Sequence, residues 1–264
     1  MANSTTDLAP QDFYKDLLRT DRSNSGLSTS STPEKVVDGL GNESALGVTQ
    51  NRTLVKPATD NTTLFQIKDT SNNNVLVADS TNNAIKVGAN SMYVNTLYHQ
   101  FGSYGQAVTN QTWTAMVSSP LGNSPSTAVT FGTNAGAPAS TLTVSTTSDD
   151  VAISLFYVWD SIVIEGAKVF CGASGTSTAD DLTFAIVSYA IDTGNGATSG
   201  DLSDGEIMAV SASAIEPDRS AVDYQALSIS SSAIPAGRVL VAMLRNDGDN
   251  NTVGATLTMK YHIV

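Results

Sequence analysis

Thr256-Leu257-Thr258-Met259-Lys260-Tyr261-His262-Ile263 places apolar residues at 257, 259, 261 and 263 with polar ones between them. A period of two marks a β-strand with one face in a core and the other toward water. The same kind of segment recurs upstream. Strand candidates cover 238–246, 224–229, 206–214, 181–189, 161–170, 151–158, 140–146, 128–131 and 106–117, punctuated by Gly, Pro, Asn and Asp. Many short strands at a spacing of eight to fifteen residues predict an antiparallel β-sandwich, jelly-roll-like, over 91–264.

Composition agrees with an all-β chain. Of 264 residues, 41% are hydrophobic, enough for a core, and only 14% are charged. Ser, Thr and Asn take up much of the difference, and their side chains compete with helix backbone hydrogen bonds. The net charge is −12. A phosphate backbone calls for a positive footprint, so neither nucleic acid nor an anionic membrane is an expected partner. Residues 2–6 are polar, without a basic-then-apolar signal pattern. The longest nearly apolar run, 151–159, is too short to span a bilayer. A single cysteine, Cys171, cannot form an intrachain disulfide and reads as a buried core residue. These features predict synthesis as a soluble protein in a reducing cytoplasm.

Charge divides the chain near residue 90. Residues 1–90 hold eight Lys/Arg and ten Asp/Glu, a net of −2, whereas 91–264 hold five and fifteen, a net of −10. Three regions are expected: an N-terminal anchoring arm (1–35), a β-meander (36–90) and the sandwich (91–264). In the arm, Asp7 to Thr20 reads as a short helix with Phe13, Tyr14, Leu17 and Leu18 on one face, a partner-binding stripe. In the meander, Phe65-Gln66-Ile67-Lys68-Asp69, Val75-Leu76-Val77-Ala78-Asp79 and Ala84-Ile85-Lys86-Val87-Gly88 are strands joined by Asn-rich turns. So small a sheet is marginal alone. Trimerisation is expected to bury its apolar residues Phe65, Ile67, Val75, Val77, Ile85 and Val87.

The run from Phe65-Gln66-Ile67-Lys68-Asp69 through Val75-Leu76-Val77-Ala78-Asp79 to Ile85-Lys86-Val87-Gly88 resembles a pattern of fibre and appendage proteins of tailed bacteriophages. Asp38-Gly39-Leu40-Gly41-Asn42-Glu43-Ser44-Ala45-Leu46 is similar to an element upstream in the same proteins. Asp201-Leu202-Ser203-Asp204-Gly205 and the closing Lys260-Tyr261-His262-Ile263 look like parts of C-terminal domains of phage virion proteins. The resemblance covers roughly two thirds of the chain. It implies a homotrimer on the virion surface, an N-terminal attachment region docking on a major capsid or other virion protein, and an outward-facing C-terminal sandwich. It implies no catalytic residues.

Enzyme motifs are missing: the sequence holds no G-x-S-x-G, H-E-x-x-H, G-x-x-x-x-G-K-[ST] or C-x-x-C. Two histidines, His99 and His262, do not make a His-rich metal site. No enzyme and no cofactor is expected. The acidic loop carrying Asp192, Asn195, Asp201, Asp204 and Glu206 has the oxygen ligands calcium takes but not the EF-hand spacing, and turn chemistry accounts for the same residues. Trp113, Trp159 and Tyr189 are candidates for stacking on a host surface glycan, against the alternative that they fill the core. The cluster Tyr93, Tyr98, His99, Phe101 and Tyr104 either seals the junction or the trimer axis, or forms an exposed binding strip. Three roles compete: a trimeric capsid decoration or head-fibre protein, a tail-fibre protein reading host glycans, and a polysaccharide depolymerase.

Overall fold

The computed structural model describes residues 19–20, 32–38, 40–107, 111–119, 129–144, 148–173, 181–192, 200–217, 221–248 and 252–264. The chain separates into two compact units, Met1–Val94 and Asn95–Val264. Strands dominate both. The one helix among the described residues is α1, Ser148–Ala152.

The first unit holds two four-stranded antiparallel sheets. One runs β1 (Arg19–Thr20), β2 (Glu34–Val37), β3 (Glu43–Val48) and β4 (Thr53–Val55). Arg19 and Thr20, expected at the end of a helix, are instead strand and pair with Val37 and Val36. The rest of that expected helix lies outside the described residues. The second sheet runs β5 (Phe65–Lys68), β6 (Asn74–Asp79), β7 (Ala84–Val87) and β8 (Met92–Tyr93).

One turn device recurs three times in this unit. An Asp accepts backbone N–H groups ahead of it with one oxygen and an Asn side-chain amide with the other. Asp38 holds the N–H groups of Leu40 and Asn42 and the Asn42 amide. Asp69 does the same with Ser71, Asn73 and the Asn73 amide. Asp79 takes the Asn82 N–H and amide and also Lys86 Nζ at 2.9 Å. Such bonds replace backbone pairs that a tight turn cannot make. Asn72 and Asn83 supply the left-handed residues, at φ 68° and 52°.

All three carboxylates are held below their ordinary range, chiefly by the Asn amides; at Asp79 the Asn82 amide and then Lys86 bring it to about 2. A carboxylate depressed by folding contributes stability above its unfolded value, and the contribution fades as pH falls through the folded one. The first unit is therefore expected to lose stability between about pH 4 and pH 2. Thermal melts at pH 5 and pH 2.5 check this. The gap between the two melts should narrow in Asp79→Asn with Asp69→Asn, and an unchanged gap would contradict the assignment.

In the second unit eight strands form one curled antiparallel sheet: β9 (Thr96–Ala107), β10 (Trp113–Ala115), β12 (Ile162–Ala173), β13 (Leu182–Asp192), β14 (Asp201–Ser211), β15 (Asp223–Ile229), β17 (Val239–Asn246) and β18 (Thr252–Ile263). Two short strands attach at one end, β11 (Phe156–Tyr157) on β17 and β16 (Ala233–Ile234) on β12. The spatial order is β10-β17-β13-β14-β15-β12-β18-β9. Pairing is nested: β9 with β18, β10 with β17, β12 with β15, β13 with β14. A long hairpin paired first with last and then rolled up is a jelly roll. A bridge between Gly102 and Val117 joins the two ends of the order.

The roll flattens into two facing sheets, β10-β17-β13-β14 and β9-β18-β12-β15. Their inner faces make the main core, with Leu182, Phe184, Ile186, Leu240, Ala242 and Leu244 from the first sheet against Val169, Leu257 and Met259 from the second. A second core lies on the other side of the first sheet. There Val187, Tyr189, Val241 and Met243 pack with Val129 and Phe131 of the segment after β10, and with Val151 of α1. β17 is consequently buried at all eight positions.

Cys171 lies in the main core, and burial, with the nearby Asp223 carboxylate adding to it, pushes its thiol up to about 12. A protonated, buried thiol is unreactive. A thiol-reactive disulfide reagent is expected to label the native protein negligibly and the denatured protein fully. Stoichiometric labelling without denaturant would contradict this placement.

Candidate functional site

Two features of the described residues exceed what folding alone requires. The first is one face of the β5–β8 sheet. The register sets Phe65 opposite Ala78 and Ile67 opposite Leu76, then Leu76 opposite Val87, Ala78 opposite Ile85 and Val87 opposite Met92. Opposed residues share a face, so Phe65, Ile67, Leu76, Ala78, Ile85, Val87 and Met92 form one unbroken apolar surface. Phe65, Ile67, Ile85 and Met92 are each more than 40% exposed in the single chain. The other face is mixed: Gln66, buried Val77, Lys86 and Tyr93 form one row, and Lys86 bridges Asp79 and stands 5.1 Å from the Tyr93 ring centroid.

Four of the six expected interface residues lie on the apolar face: Phe65, Ile67, Ile85 and Val87. Val75 and Val77 do not. A bulge between Ile67 and Lys68 shifts the β5–β6 register, leaving Val75 unpaired and Val77 buried on the opposite side. Leu76 and Ala78 take their places.

The second feature is a cleft of about 210 Å³ at one end of the jelly roll, lined by Leu97, Phe156, Tyr157, Trp159, Tyr261 and Ile263 among others. Its floor is aromatic. Phe156 lies over His99 with ring centroids 4.3 Å apart and meets Tyr261 edge-on at 5.8 Å. His99 Nε2 and Ser118 Oγ are 2.9 Å apart, and burial holds the imidazole below its ordinary pKa. Trp159 stands at the rim, 81% exposed, with Tyr157 edge-on at 4.9 Å. Asp160 is the carboxylate of the lining. The walls suit an apolar or ring-shaped group held by packing.

Trp159 is thus the one expected glycan contact that reaches water. Trp113 and Tyr189 are fully buried. Trp113 Nε1 donates to Asn134 O at 2.8 Å and Tyr189 Oη to Ala139 O at 2.7 Å, so both pin residues 129–144 onto the sheet.

The acidic loop does not gather its carboxylates. Asp201 Oδ1 accepts the Val144 N–H at 2.8 Å. Asp204 Oδ2 accepts Arg238 Nη1 at 3.0 Å, while the same guanidinium grips the Ser188 hydroxyl and carbonyl. Asp192 pairs with Asp201 where β13 and β14 meet, Glu206 is exposed on β14, and Asn195 lies outside the described residues. Among the described residues no three His, Cys, Asp or Glu side chains are placed to hold a metal ion. The stripe Phe13, Tyr14, Leu17 and Leu18 also lies outside them. No described helix is long and apolar enough to cross a membrane.

No protein-family model matches the sequence, and no curated protein matches it. Among solved structures, a chain from the structure of infectious bursal disease virus, Gx strain, is similar at 9% identity and a TM-score of 0.27. The match covers 67% of this chain and 34% of that one, so this chain spans about a third of the neighbour's length.

Proposed function

We propose that this chain is a non-enzymatic structural protein of a tailed-bacteriophage particle, a homotrimer docked by its N-terminal segment with the jelly roll displayed on the virion surface. The observation that carries this reading is the apolar face of β5–β8. A face made only of Phe, Ile, Leu, Val, Ala and Met, half open to water, is unfavourable in an isolated chain and favourable once covered. Copies of the same chain are the cover always present during assembly. The number three comes from the sequence resemblance to appendage proteins. The jelly roll, by contrast, closes its own core. The role is mechanical: burial at subunit and particle interfaces stabilises the assembly without chemistry. A major capsid protein is the proposed docking partner.

Sedimentation equilibrium at micromolar concentration tests the reading. It should return three times the chain mass of 27.4 kDa. A stable monomer overturns it. Labelling the protein on purified particles separates the roles: many copies over the head for decoration, few at the tail for a fibre. The exposed Trp159 favours the second role, because an adhesin needs aromatic rings in water.

A further inference from the structure

The sheet β9-β18-β12-β15 turns one face to the core and the other outward. Tyr98, Tyr104, Phe170 and Tyr224 stand on the outer face, 46–79% exposed. The register fixes their arrangement. Tyr98 pairs with Lys260, and Phe170 pairs with Thr256 on one side and Tyr224 on the other. The Phe170 and Tyr224 rings are 5.9 Å apart, and Lys168 Nζ lies 5.3 Å from the Tyr224 centroid. Tyr104 falls in a β9 bulge opposite Gly254, and Gly254 pairs with Gly172 on β12.

Those two glycines have no structural cause. A Cβ on Gly254 would meet open space, and one on Gly172 would meet only Ala221 O at an ordinary 3.8 Å. Neither has a positive φ. Glycine inside a strand weakens it, and where packing does not demand it, it marks a place where something approaches the backbone closely. The outcome is a strip of sheet without side chains, with Tyr104 at its β9 end and the Phe170–Tyr224 pair in the next outward row of β12 and β15. Gln100, Thr256 and Thr258 supply hydrogen-bonding groups between the rings.

We infer that this face binds an extended acidic saccharide. A sugar ring has a flat C–H face that stacks on an aromatic ring and a hydroxyl edge that pairs with Thr and Gln side chains. Backbone bared at Gly172 and Gly254 lets such a chain lie flat. Charge indicates an acidic one. Residues 91–264 hold fifteen acidic and five basic residues, yet both lysines, Lys168 and Lys260, are on this face. Lys260 is occupied by Glu165 at 2.5 Å, whereas Lys168 stands beside the Tyr224 ring. A protein partner fits less well, because the bare strip offers no holes for its side chains. A second copy laid face to face would set these lysines against their own kind.

The test uses the full-length protein on a panel of immobilised bacterial oligosaccharides bearing uronate, sialate or glycerol-phosphate groups, beside neutral members and carboxyl-reduced counterparts. Binding to acidic members is expected, with weakening at high salt and in Lys168→Ala. Tyr104→Ala and Tyr224→Ala should each lower affinity at least tenfold. Gly254→Thr separates a binding role from a structural one: the melting temperature should hold or rise, since Thr suits a strand better, while binding is lost. The inference fails if no member binds, if neutral and reduced sugars bind as well as acidic ones, or if Tyr104→Ala and Gly254→Thr bind like the parent. The outcome is independent of oligomeric state, because a monomer would still bind, only without the gain from multivalency.

Discussion

Replacing Ile67 and Ile85 together by Asp is expected to take the proposed trimer apart into folded monomers. Both side chains are close to half exposed in the single chain, so the substitution removes little of the monomer's own packing. They sit in neighbouring rows of the apolar face, Ile67 beside Leu76 and Ile85 beside Ala78. Covering the exposed half of an isoleucine is worth about 1 kcal/mol. Six such side chains in a trimer represent about 6 kcal/mol, or roughly a 10⁴-fold change in the assembly constant. A carboxylate carried into the contact adds a desolvation penalty to that loss. Sedimentation velocity at micromolar concentration should show the parent as a trimer and the double variant at 27.4 kDa. Circular dichroism should show undiminished strand content. Gln66→Asp, on the other face, should leave the trimer intact. A double variant that sediments like the parent removes this face from the interface.

The sequence carried the strand content well and the phases of individual strands less well. The alternation at 257–263 puts Leu257, Met259 and Tyr261 in the core, as in the structure. Val75-Leu76-Val77-Ala78 shows why phase is harder. All four residues are apolar, so periodicity holds no phase, and a bulge decides which pair faces out. β9 is not legible as a strand, because its central residues 98–105 mix glycines with aromatics, a composition that reads as a loop. Its inward Phe101 is fully buried while Tyr98 and Tyr104 stand in water, so the cluster read as one feature divides between two faces. The start of the expected strand at 151–158 is instead α1, whose Asp149 and Asp150 suit the first turn of a helix. The burial of Trp113 and Tyr189 is the least legible feature. In a two-layer sandwich their face of the sheet would be wet, and a sequence pattern does not reveal that residues 129–144 fold back over it.

That third layer makes Trp113 the most sensitive single position. Trp113→Ala is expected to cost about 3–5 kcal/mol. The indole is wholly enclosed, and three bonds, one from the ring and two from the backbone, tie the residue to the covering segment. Its Nε1–H donates to Asn134 O, its backbone N–H donates to Gly132 O, and its carbonyl accepts the Phe131 N–H. The backbone bonds survive the substitution; the indole packing and the Asn134 bond do not, and Asn134 O loses its donor. For a unit of this size the fall in melting temperature should be on the order of 10 °C. Tyr189→Phe keeps the ring against Phe131 and removes only the hydroxyl bond to Ala139 O, so about 1 kcal/mol is expected. The two sites hold one segment, so the double variant should be non-additive. Limited proteolysis supplies the structural readout. In Trp113→Ala, cleavage should concentrate in 129–144 while β12 and β18 of the opposite sheet stay protected, because the main core keeps its own contacts. A melting temperature within about 2 °C of the parent would mean that the segment does not contribute a core of its own. Cleavage spread evenly over the unit would mean that the two cores are one cooperative body.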